Sequence, residues 1–566
     1  MTDQLGTADK MLQNWKDKAT MHDSRDWFPK ESIGDLPTIA ADRWGDRETL
    51  FFEGRRWSFK EVADEVDRVA RGLIAIGVKP GEHVAIWLTN RPEFIFSYFA
   101  IIRIGAVVVP MNTRWRTRDF VAAMQASDPT VLIAETVSGP IDFEAMVKEA
   151  LGSDSFFDGE RISCSECPTL RRVIFLSDHS LEGAATWDEV MSVGEATPAG
   201  ELEQRATEVD PDNLAIILFT SGTTGRPKGV MQSHSGIRSA LERATVLGMT
   251  MNDVQINYLP LFHNYSLVWI VMHNVLCGAR QVLTNRFDAE EVLKLISQER
   301  VTMLHGFEVH LSELLTAYER NPDHYDLSSL RIGTHTFGSE FGRRITERFQ
   351  TVFCRTVSSY GMSETFSAVT CRHPKDMTIQ ETCDASGYPL PGSRLRIIDQ
   401  EGKEVPTGEI GEIIVKSPSL MLGYYKNPEE TQKAIDQDGW FHTGDSGYLR
   451  TDGMLHFVGR FKDMIRVGGE NVDPTEVEAL LLEVPEVVQV AAVAMCDDRL
   501  AEVVAAFVVV HEVADVETVR QSIYELCKGR IASFKVPTRI EFVSELPITS
   551  TGKIDRLTLR NRLKEI

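Results

Sequence analysis

The segment LAIILFTSGTTGRPKG (residues 214–229) passes from an apolar run into a loop rich in glycine and hydroxyl side chains. The run from Leu214 to Phe219 predicts a buried strand, and a helical pattern follows from about Ser235 to Leu247. In the loop, glycines let the backbone turn tightly, hydroxyl groups donate hydrogen bonds, and Lys228 adds a positive charge. The segment therefore predicts a strand and loop suited to phosphate, with an ordinary polar surface loop as the alternative.

Helix and strand patterns also alternate in the preceding residues. Ser58 and Glu61 form a capping-box pair that opens an amphipathic helix, which Gly77 closes. A β-branched strand follows at Val84 to Leu88, and the apolar stretch from Phe94 to Pro110 predicts a buried helix followed by another strand. Such alternation favours a mainly parallel sheet covered by helices. The predicted fold class is therefore α/β, with a large N-terminal domain of helix-covered, mainly parallel sheets.

The pattern changes past residue 385, where short strands and frequent glycines predict a β-rich subdomain over about residues 385–459. The C-terminal residues form another block, with strands at Val487 to Ala494 and Val503 to Val510 and a helix at Val516 to Cys527. We therefore predict an N-terminal domain over residues 1–459 and a small α+β C-terminal domain over residues 460–566.

Composition and charge exclude several classes of protein. The chain has 566 residues and a formal net charge of −23, an acidic balance that argues against nucleic acid as a general partner. The longest apolar stretch is too short and too charged to span a bilayer, and the N-terminal residues lack a signal-peptide pattern. We expect no integral membrane segment and a cytoplasmic location. The close pair Cys164 and Cys167 lacks further ligands for zinc, so two free thiols are favoured.

Two later motifs carry groups that suit a nucleotide. In YGMSET (residues 360–365), the ring of Tyr360 suits stacking on a purine, and the carboxylate of Glu364 suits Mg²⁺, which takes oxygen ligands. A core tyrosine beside a solvated glutamate is the alternative. In WFHTGD (residues 440–445), an isolated aspartate such as Asp445 is by itself typical of a turn.

Together these segments resemble, in order and spacing, the motifs of the adenylate-forming superfamily of acyl-CoA synthetases, luciferases and peptide-synthetase adenylation domains. The matching segments are residues 219–229, 360–365, 440–445, 459–465 and 546–554, and the resemblance runs from about residue 40 to the C-terminus. It implies an ATP-dependent carboxylic acid:CoA ligase that forms an acyl-adenylate, with ATP, Mg²⁺ and coenzyme A as cofactors. It also implies that the C-terminal domain is a mobile lid.

The resemblance implies a role for each matching residue. Lys553 is implied to sit between the acid and the α-phosphate, Lys462 to be the hinge of the lid, and Gly469 to line the path of the coenzyme A thiol. Glu364, shared with Thr220, is implied to hold Mg²⁺. The nucleotide-binding residues implied are Thr220, Ser221, Gly222, Thr223, Thr224, Gly225, Lys228, Tyr360, Gly361, Ser363, Glu364, Asp445 and Arg460.

The acid pocket is less readable from the sequence. The segment LPLFHNYSL (residues 259–267) resembles a further family motif whose histidine, here His263, borders the acid and counts as catalytic. A histidine at this place argues against an amino-acid substrate, and its mostly apolar neighbourhood favours a medium-chain or branched aliphatic acid. Trp269 and His273 either narrow the acyl site or belong to the core. Ser266 replaces a frequent glycine, and Gly338-Ser339-Glu340 departs from the usual pattern.

Two other functions stay open at this point. One is an adenylating enzyme that passes the acyl group to a carrier protein or another acceptor, and the other is a non-catalytic adenylate-binding protein. The presence of Lys553, Glu364 and the whole phosphate loop speaks against the second. The oligomeric state is not predicted, and a homodimer is compatible with the sequence.

Overall fold

The computed structural model describes residues 31–565, with gaps at 153–155, 158–161, 178–182, 221–227, 337–339, 461–462, 468–469, 498, 512–513, 529 and 550–552. The predictions for Ser221 to Gly225, Lys462 and Gly469 lie outside the described residues. The same holds for the N-terminal residues 1–30, on which the absence of a signal peptide was argued.

Two large sheets form the core of the N-terminal part. Their neighbouring strands are parallel except at the edge, where a hairpin turns back in each. In spatial order, the first sheet contains Thr356–Ser358, Ile332–Thr336, Met303–Phe307, Val254–Asn257, Arg280–Leu283, Glu48–Phe52 and Arg55–Ser58. The second contains Ala185–Thr186, Arg172–Leu176, Val131–Glu135, His83–Trp87, Val107–Pro110, Ile216–Thr220, Lys228–Gln232 and Gly423–Tyr424.

The central strands of the second sheet are buried along their whole length, as is typical of parallel strands covered by helices on both faces. Their apolar side chains divide between two clusters on opposite faces of the sheet. Trp87 is fully buried on one face, where it stacks on Phe120 at a centroid distance of 4.1 Å, and its indole N–H donates to the Asn112 carbonyl. The sheet is therefore a rigid platform for the loops at its ends.

Helices cover both sheets. The first long helix starts at a capping box, since Ser58 Oγ accepts from the Glu61 N–H and the Glu61 carboxylate accepts from the Ser58 N–H. The α-helices up to residue 434 are Leu36–Trp44, Phe59–Ala75, Pro92–Arg103, Thr117–Ser127, Phe143–Leu151, Trp187–Gly194, Ala199–Thr207, Gly236–Val246, Asn264–Ser266, His273–Cys277, Ala289–Glu299, Glu308–Arg320, Glu340–Val352, Ile379–Asp384 and Pro428–Ala434. Short 3₁₀ turns lie at Ile33–Asp35, Pro322–His324, Ser363–Thr365 and Pro374–Asp376.

An antiparallel sheet follows, in the region where a β-rich subdomain was predicted. Its strands, in order, are Arg394–Ile398, Gly411–Lys416, Phe441–Leu449 and Leu455–Arg460. Short strand pairs lie at Val137–Ser138 and Ile141–Asp142, Phe156–Phe157 and Ile162–Ser163, Gly361–Met362 and Ser367–Ala368, and Thr370–Cys371 and Tyr388–Pro389.

The C-terminal part is a separate sheet with its own apolar cluster. Its strands are Glu470–Val472, Ile465–Val467, Ala501–Val510 and Val487–Asp497, and Arg539–Phe542 pairs with the third of these. The helices are Pro474–Leu481, Val516–Cys527 and Arg556–Glu565, with a 3₁₀ turn at Ser533–Lys535. The α/β class, with a large N-terminal and a small C-terminal domain, is therefore confirmed.

Within the described ranges, every helix is either too short or too polar to cross a lipid bilayer.

Candidate active site

Asp445 is the centre of a buried hydrogen-bonded group. The Tyr360 hydroxyl donates to Asp445 Oδ2 at 2.9 Å, and Arg460 Nε lies 3.2 Å from Oδ1. The sheet fixes this pairing, because Asp445 and Arg460 face each other across neighbouring antiparallel strands. Asp445 is 3% exposed. Burial of Tyr360, followed by the charge of Asp445, raises the pKa of Tyr360 well above the ordinary value. Tyr360 therefore stays a phenol that donates.

Glu364 lies in the 3₁₀ turn Ser363–Thr365, which other chain segments hold at both sides. The Gln232 amide donates to the Ser363 carbonyl at 2.6 Å, and the Met421 N–H donates to the Glu364 carbonyl at 2.7 Å. The Tyr424 hydroxyl donates to the Glu364 carboxylate at 3.0 Å. Burial raises the pKa of Glu364, so its charged form gains from a cation placed beside it.

Thr220 and Lys228 face each other at the ends of two antiparallel strands and flank residues 221–227. Lys228 Nζ forms an ion pair with Glu430 at 2.7 Å and lies 5.3 Å from the ring centroid of Tyr424. Because the same tyrosine donates to Glu364, the base of the predicted phosphate loop and the Glu364 carboxylate are neighbours.

His263 caps the helix that begins at Asn264. Its Nδ1 accepts from the Tyr265 N–H at 3.1 Å, which leaves Nε2 as the protonated nitrogen of the neutral ring. Burial, with a further contribution from the charge of Lys553, lowers the pKa of His263 to about 4. His263 is therefore neutral at physiological pH and presents an N–H donor.

Lys553 comes from the C-terminal domain but shares the electrostatic environment of the residues above. Desolvation lowers its pKa, Arg460 adds to that shift, and Asp445 and Glu308 oppose it. The side chain of Lys553 is itself exposed to solvent. The Thr549 N–H donates to the Lys553 carbonyl at 2.6 Å and so fixes the backbone of Lys553.

A buried ion pair holds the backbone that follows Lys553. Arg556 Nη1 and Nη2 lie 2.5 and 3.2 Å from the carboxylate of Glu478, which is 0% exposed. Glu478 also accepts from the Ala492 N–H at 2.8 Å, and Arg556 donates to the Ala492 carbonyl at 2.9 Å. Arg556 stands three residues after Lys553, so the pair ties the backbone that follows Lys553 to the strand Val487–Asp497.

The family model described as "AMP-binding enzyme" matches residues 38–425, and that described as "AMP-binding enzyme C-terminal domain" matches residues 476–553. The chain belongs to the AMP-binding enzyme family. The two matches together take in most of the motifs quoted above, from the phosphate loop to Lys553. The predicted membership of the adenylate-forming superfamily is therefore confirmed.

Relatives of this AMP-binding enzyme are CoA ligases. A methyl-dioxo-octahydroindenyl-propanoyl:CoA ligase from Mycobacterium tuberculosis is 34% identical over 542 residues, covering 93% of this chain and 99% of that protein. A 2-succinylbenzoate–CoA ligase from Bacillus licheniformis is 32% identical over 514 residues, covering 90% and 96%. These names bear out the predicted class of acid–thiol ligase.

Solved structures agree with this family. The anthranilate CoA ligase AuaEII in complex with anthranoyl-AMP superposes with a TM-score of 0.82 at 26% identity, covering 94% of this chain and 97% of that chain. ATP-bound MatB from Rhodopseudomonas palustris gives a TM-score of 0.77 at 26% identity, covering 94% and 99%.

The AMP-binding enzyme needs a glycine at position 361. The strand Gly361–Met362 pairs with Ser367–Ala368, and a Cβ on Gly361 would lie 2.1 Å from the Ser367 carbonyl oxygen. The motif therefore has a packing reason as well as a chemical one. Ser363 contributes its backbone carbonyl to the contact with Gln232.

The helix after His263 differs from a regular α-helix. Residues Leu267–Met272 form a π-helix between the α-helical segments Asn264–Ser266 and His273–Cys277. Trp269 and His273 are both buried, and Ser266 donates to the Asn257 side-chain oxygen at 2.9 Å. Ser266, in place of a frequent glycine, thus gives a hydrogen bond to the buried amide of Asn257. Among the departures noted in the sequence, Gly338, Ser339 and the side chain of Glu340 lie outside the described part of the chain.

Cys164 and Cys167 are buried free thiols, and Cys164 Sγ donates to the Leu151 carbonyl at 3.3 Å. In the described segments, no three cysteine, histidine or carboxylate side chains come together as metal ligands. The two free thiols agree with the interpretation of this pair as thiols.

Sequence reasoning missed Glu478, Arg556 and Tyr424. Each acts through a residue that the motifs do name, and none lies in a conspicuous pattern. The one available signal was Glu478 itself, an acidic residue placed between the apolar Val477 and Leu481 of a short helix.

Proposed function

We propose that this chain is an ATP-dependent carboxylic acid:CoA ligase that makes an acyl-CoA thioester through an acyl-adenylate. The observation that carries the proposal is the electrostatic interaction of Lys553, from the C-terminal domain, with Asp445, Arg460 and His263. A lysine delivered from a second domain to a nucleotide-type site suits a reaction in which two anions must meet.

In the first step, an oxygen of the acid attacks the α-phosphorus of ATP. A new phosphorus–oxygen bond forms, the α–β phosphoanhydride bond breaks, and pyrophosphate leaves with the electron pair. Positioning and charge neutralisation carry most of the catalysis in such a transfer. Lys553 supplies a compact ammonium to the oxygens of the α-phosphoryl group.

Each of the remaining residues binds one part of the nucleotide or its cation. Asp445 accepts from the ribose hydroxyls, with Arg460 and Tyr360 fixing its carboxylate. Lys228 and the loop it closes bind the β- and γ-phosphates. The oxygen ligands of Glu364 and Thr220 suit Mg²⁺, and the raised pKa of Glu364 fits a carboxylate that would pair with a cation. When bound, Mg²⁺ neutralises phosphate charge.

In the second step, the thiol of coenzyme A attacks the acyl carbon, and AMP leaves with the electrons of the broken acyl–oxygen bond. Lys553 occupies the approach to that carbon, so the C-terminal domain must turn away first. We assign the hinge to Lys462 and the thiol path to Gly469, with the domain boundary at residue 460.

The acid binds beside His263. The relatives named above act on acids that carry further oxygen groups, two oxo groups in one and a succinyl group in the other. This supports a substrate that is more polar than the aliphatic acid suggested by the sequence. A cytoplasmic location and a homodimer stay predictions, which cell fractionation and sedimentation would check.

The test of the proposal is pyrophosphate release on a panel of acids, with and without coenzyme A. We expect release with ATP and acid alone, and thioester only when coenzyme A is added. Pyrophosphate release that never yields thioester would point to another acyl acceptor. Nucleotide binding with no turnover on any acid would leave only an adenylate-binding protein.

A variant locates the chemistry. Lys553→Ala should lower acyl-adenylate formation by about 10²- to 10³-fold, the cost of removing one preorganised donor, while ATP still binds. Lys564→Ala is the matched control, because this exposed lysine lies on the following helix and its ammonium donates to the Asn561 side chain of the same helix. Normal adenylation in the Lys553 variant would remove its assigned role.

A further inference from the structure

Arg243 is a fully buried arginine on the helix Gly236–Val246. Its Nη1 donates to Ser367 Oγ at 2.7 Å, and its Nη2 donates to His273 Nε2 at 3.0 Å. The guanidinium carbon lies 3.8 Å from the ring centroid of Trp269. In the part of the chain that the structure describes, no acceptor meets its Nε and no carboxylate pairs with it.

The surroundings of Arg243 are electrically neutral. Burial lowers the pKa of Arg243 to about 9, which still leaves the guanidinium charged at neutral pH. His273 is neutral, because burial and the nearby Arg243 hold its pKa well below the ordinary value. Stacking on an indole compensates part of the cost of burying a cation, and a neutral hydroxyl and imidazole supply hydrogen bonds but no charge. The site therefore holds a positive charge that lacks an anion.

Arg243 lies at the far end of a row of aromatic rings that begins at His263. The ring centroids of His263 and Phe307 are 6.4 Å apart, those of Phe307 and Tyr265 are 5.3 Å apart, and those of Tyr265 and Trp269 are 5.1 Å apart. Arg243 covers the face of that last ring.

The other partner of Arg243 also belongs to the active-site region. Ser367 follows Glu364 by three residues, and its hydroxyl accepts from both Arg243 Nη1 and Trp269 Nε1, the latter at 2.6 Å. The nucleotide side and the acyl side of the site thus meet at this serine. Tyr265, Trp269 and Phe307 are buried, so a substrate group that binds beside His263 has to part these rings to reach the cation.

We propose that Arg243, held by Ser367 and Trp269, binds a second carboxylate of the substrate, and that the acid is therefore a dicarboxylic acid. One carboxylate is activated beside Lys553, and the other compensates the buried guanidinium. A planar guanidinium with a free N–H suits a carboxylate better than a single carbonyl oxygen does. This inference rests on the proposed ligase function and adds the chemical class of its acid.

The test compares α,ω-dicarboxylates, ω-oxo acids and monocarboxylates of matched chain length as substrates for the full chain with ATP and coenzyme A. We expect kcat/KM for the best dicarboxylate to exceed that of its matched monocarboxylate by about ten- to hundredfold, the range for a hydrogen bond to a charged group. Arg243→Met should abolish or reverse this preference, and Arg243→Lys should keep part of it. A wild-type enzyme that is indifferent to the second carboxylate, or that favours ω-oxo acids, would overturn the inference.

Arg238→Met is the matched control. Arg238 is also buried on the same helix, but its Nη2 lies against the Pro391 carbonyl at 3.4 Å and its guanidinium packs on Gly392. We expect this variant to keep the wild-type ratio between the two kinds of acid. The same change of ratio in both variants would assign the effect to general loss of packing and refute the inference.

A binding measurement separates this inference from the ligase proposal. Without ATP, the dicarboxylate alone should raise the melting temperature of the wild type more than the matched monocarboxylate does, and this difference should vanish in Arg243→Met. If no acid releases pyrophosphate but the difference persists, the ligase function fails and the carboxylate site stands. If turnover is normal but Arg243→Met leaves the acid ratio unchanged, the inference fails and the ligase function stands.

Discussion

Arg556→Met would remove the guanidinium that neutralises the buried carboxylate of Glu478. That carboxylate accepts two hydrogen bonds from Arg556 and one from the Ala492 N–H, so the variant leaves a fully buried charge with one donor. Breaking a buried pair in this way costs about 3–5 kcal/mol, because the uncompensated charge stays in a low-dielectric place. We expect the C-terminal domain to lose stability by that amount.

The assay is differential scanning calorimetry of the full chain, together with acyl-adenylate formation. Because Arg556 stands three residues after Lys553, we expect adenylation to fall as well, with ATP affinity unchanged. Arg562→Met is the control, since this exposed arginine on the same helix should change stability by no more than about 0.5 kcal/mol.

The double variant Glu478→Leu with Arg556→Met distinguishes a lost pair from general damage. Replacing both partners of a buried ion pair with apolar groups is often neutral or stabilising, so most of the lost stability should return. A double variant as unstable as the single one would contradict the assignment to charge.

The pH dependence has a definite sign. Burial raises the pKa of Glu478 and Arg556 opposes that rise, so the single variant raises the pKa further. The folded state then binds a proton more tightly than the unfolded state, and its stability increases as the pH falls through the raised pKa. The deficit of Arg556→Met should narrow on acidification. A loss below about 1 kcal/mol, or a deficit independent of pH, would refute the reasoning.

Three further outcomes follow from the site. Asp445→Asn should weaken ATP binding by about ten- to hundredfold in calorimetric titration, since a charged acceptor becomes a neutral amide; an unchanged Kd would remove its role. Glu364→Gln should raise the Mg²⁺ concentration needed for half-maximal pyrophosphate release. Because burial raises the pKa of Glu364, the activity of the wild type should fall on acidification at a higher pH than an ordinary glutamate would give. The acidic limb of this pH profile should be absent from the Gln variant. Gly236→Ala should destabilise the chain by about 1–3 kcal/mol in urea denaturation, because its Cβ would lie 1.8 Å from the Phe366 ring; an unchanged midpoint would show that the ring moves freely.

Local signals in the sequence predicted the elements whose ends are set by nearby residues. The capping box at Ser58 and Glu61 and the helix Val516–Cys527 agree with the structure. The strands were predicted too short where ladder hydrogen bonds continue past the apolar run. Val503 to Val510, for example, is part of Ala501–Val510, and the added residues continue the ladder opposite Cys496 and Asp497.

The motif residues of the site were predictable from the sequence, but the buried residues that hold them in place were not. Arg243 shares its helix with Arg238 and Glu242, and three charges on one helix are typical of a solvent-facing surface. All three are buried, because Ser367, Trp269 and Gly392 arrive from distant parts of the chain. The same holds for Glu478, whose partner lies far along the sequence.

The π-helix Leu267–Met272 was equally invisible, because no local pattern separates it from an α-helix. A π turn holds one residue more than the α-helical register, and each residue of an α-helix turns the chain by about 100°. Deletion of one residue within this stretch would restore the α register and rotate either Trp269 or His273 away from its present contacts with Arg243. Insertions and deletions here, rather than point substitutions, would then be the shortest evolutionary path by which descendants of this scaffold exchange one acid for another.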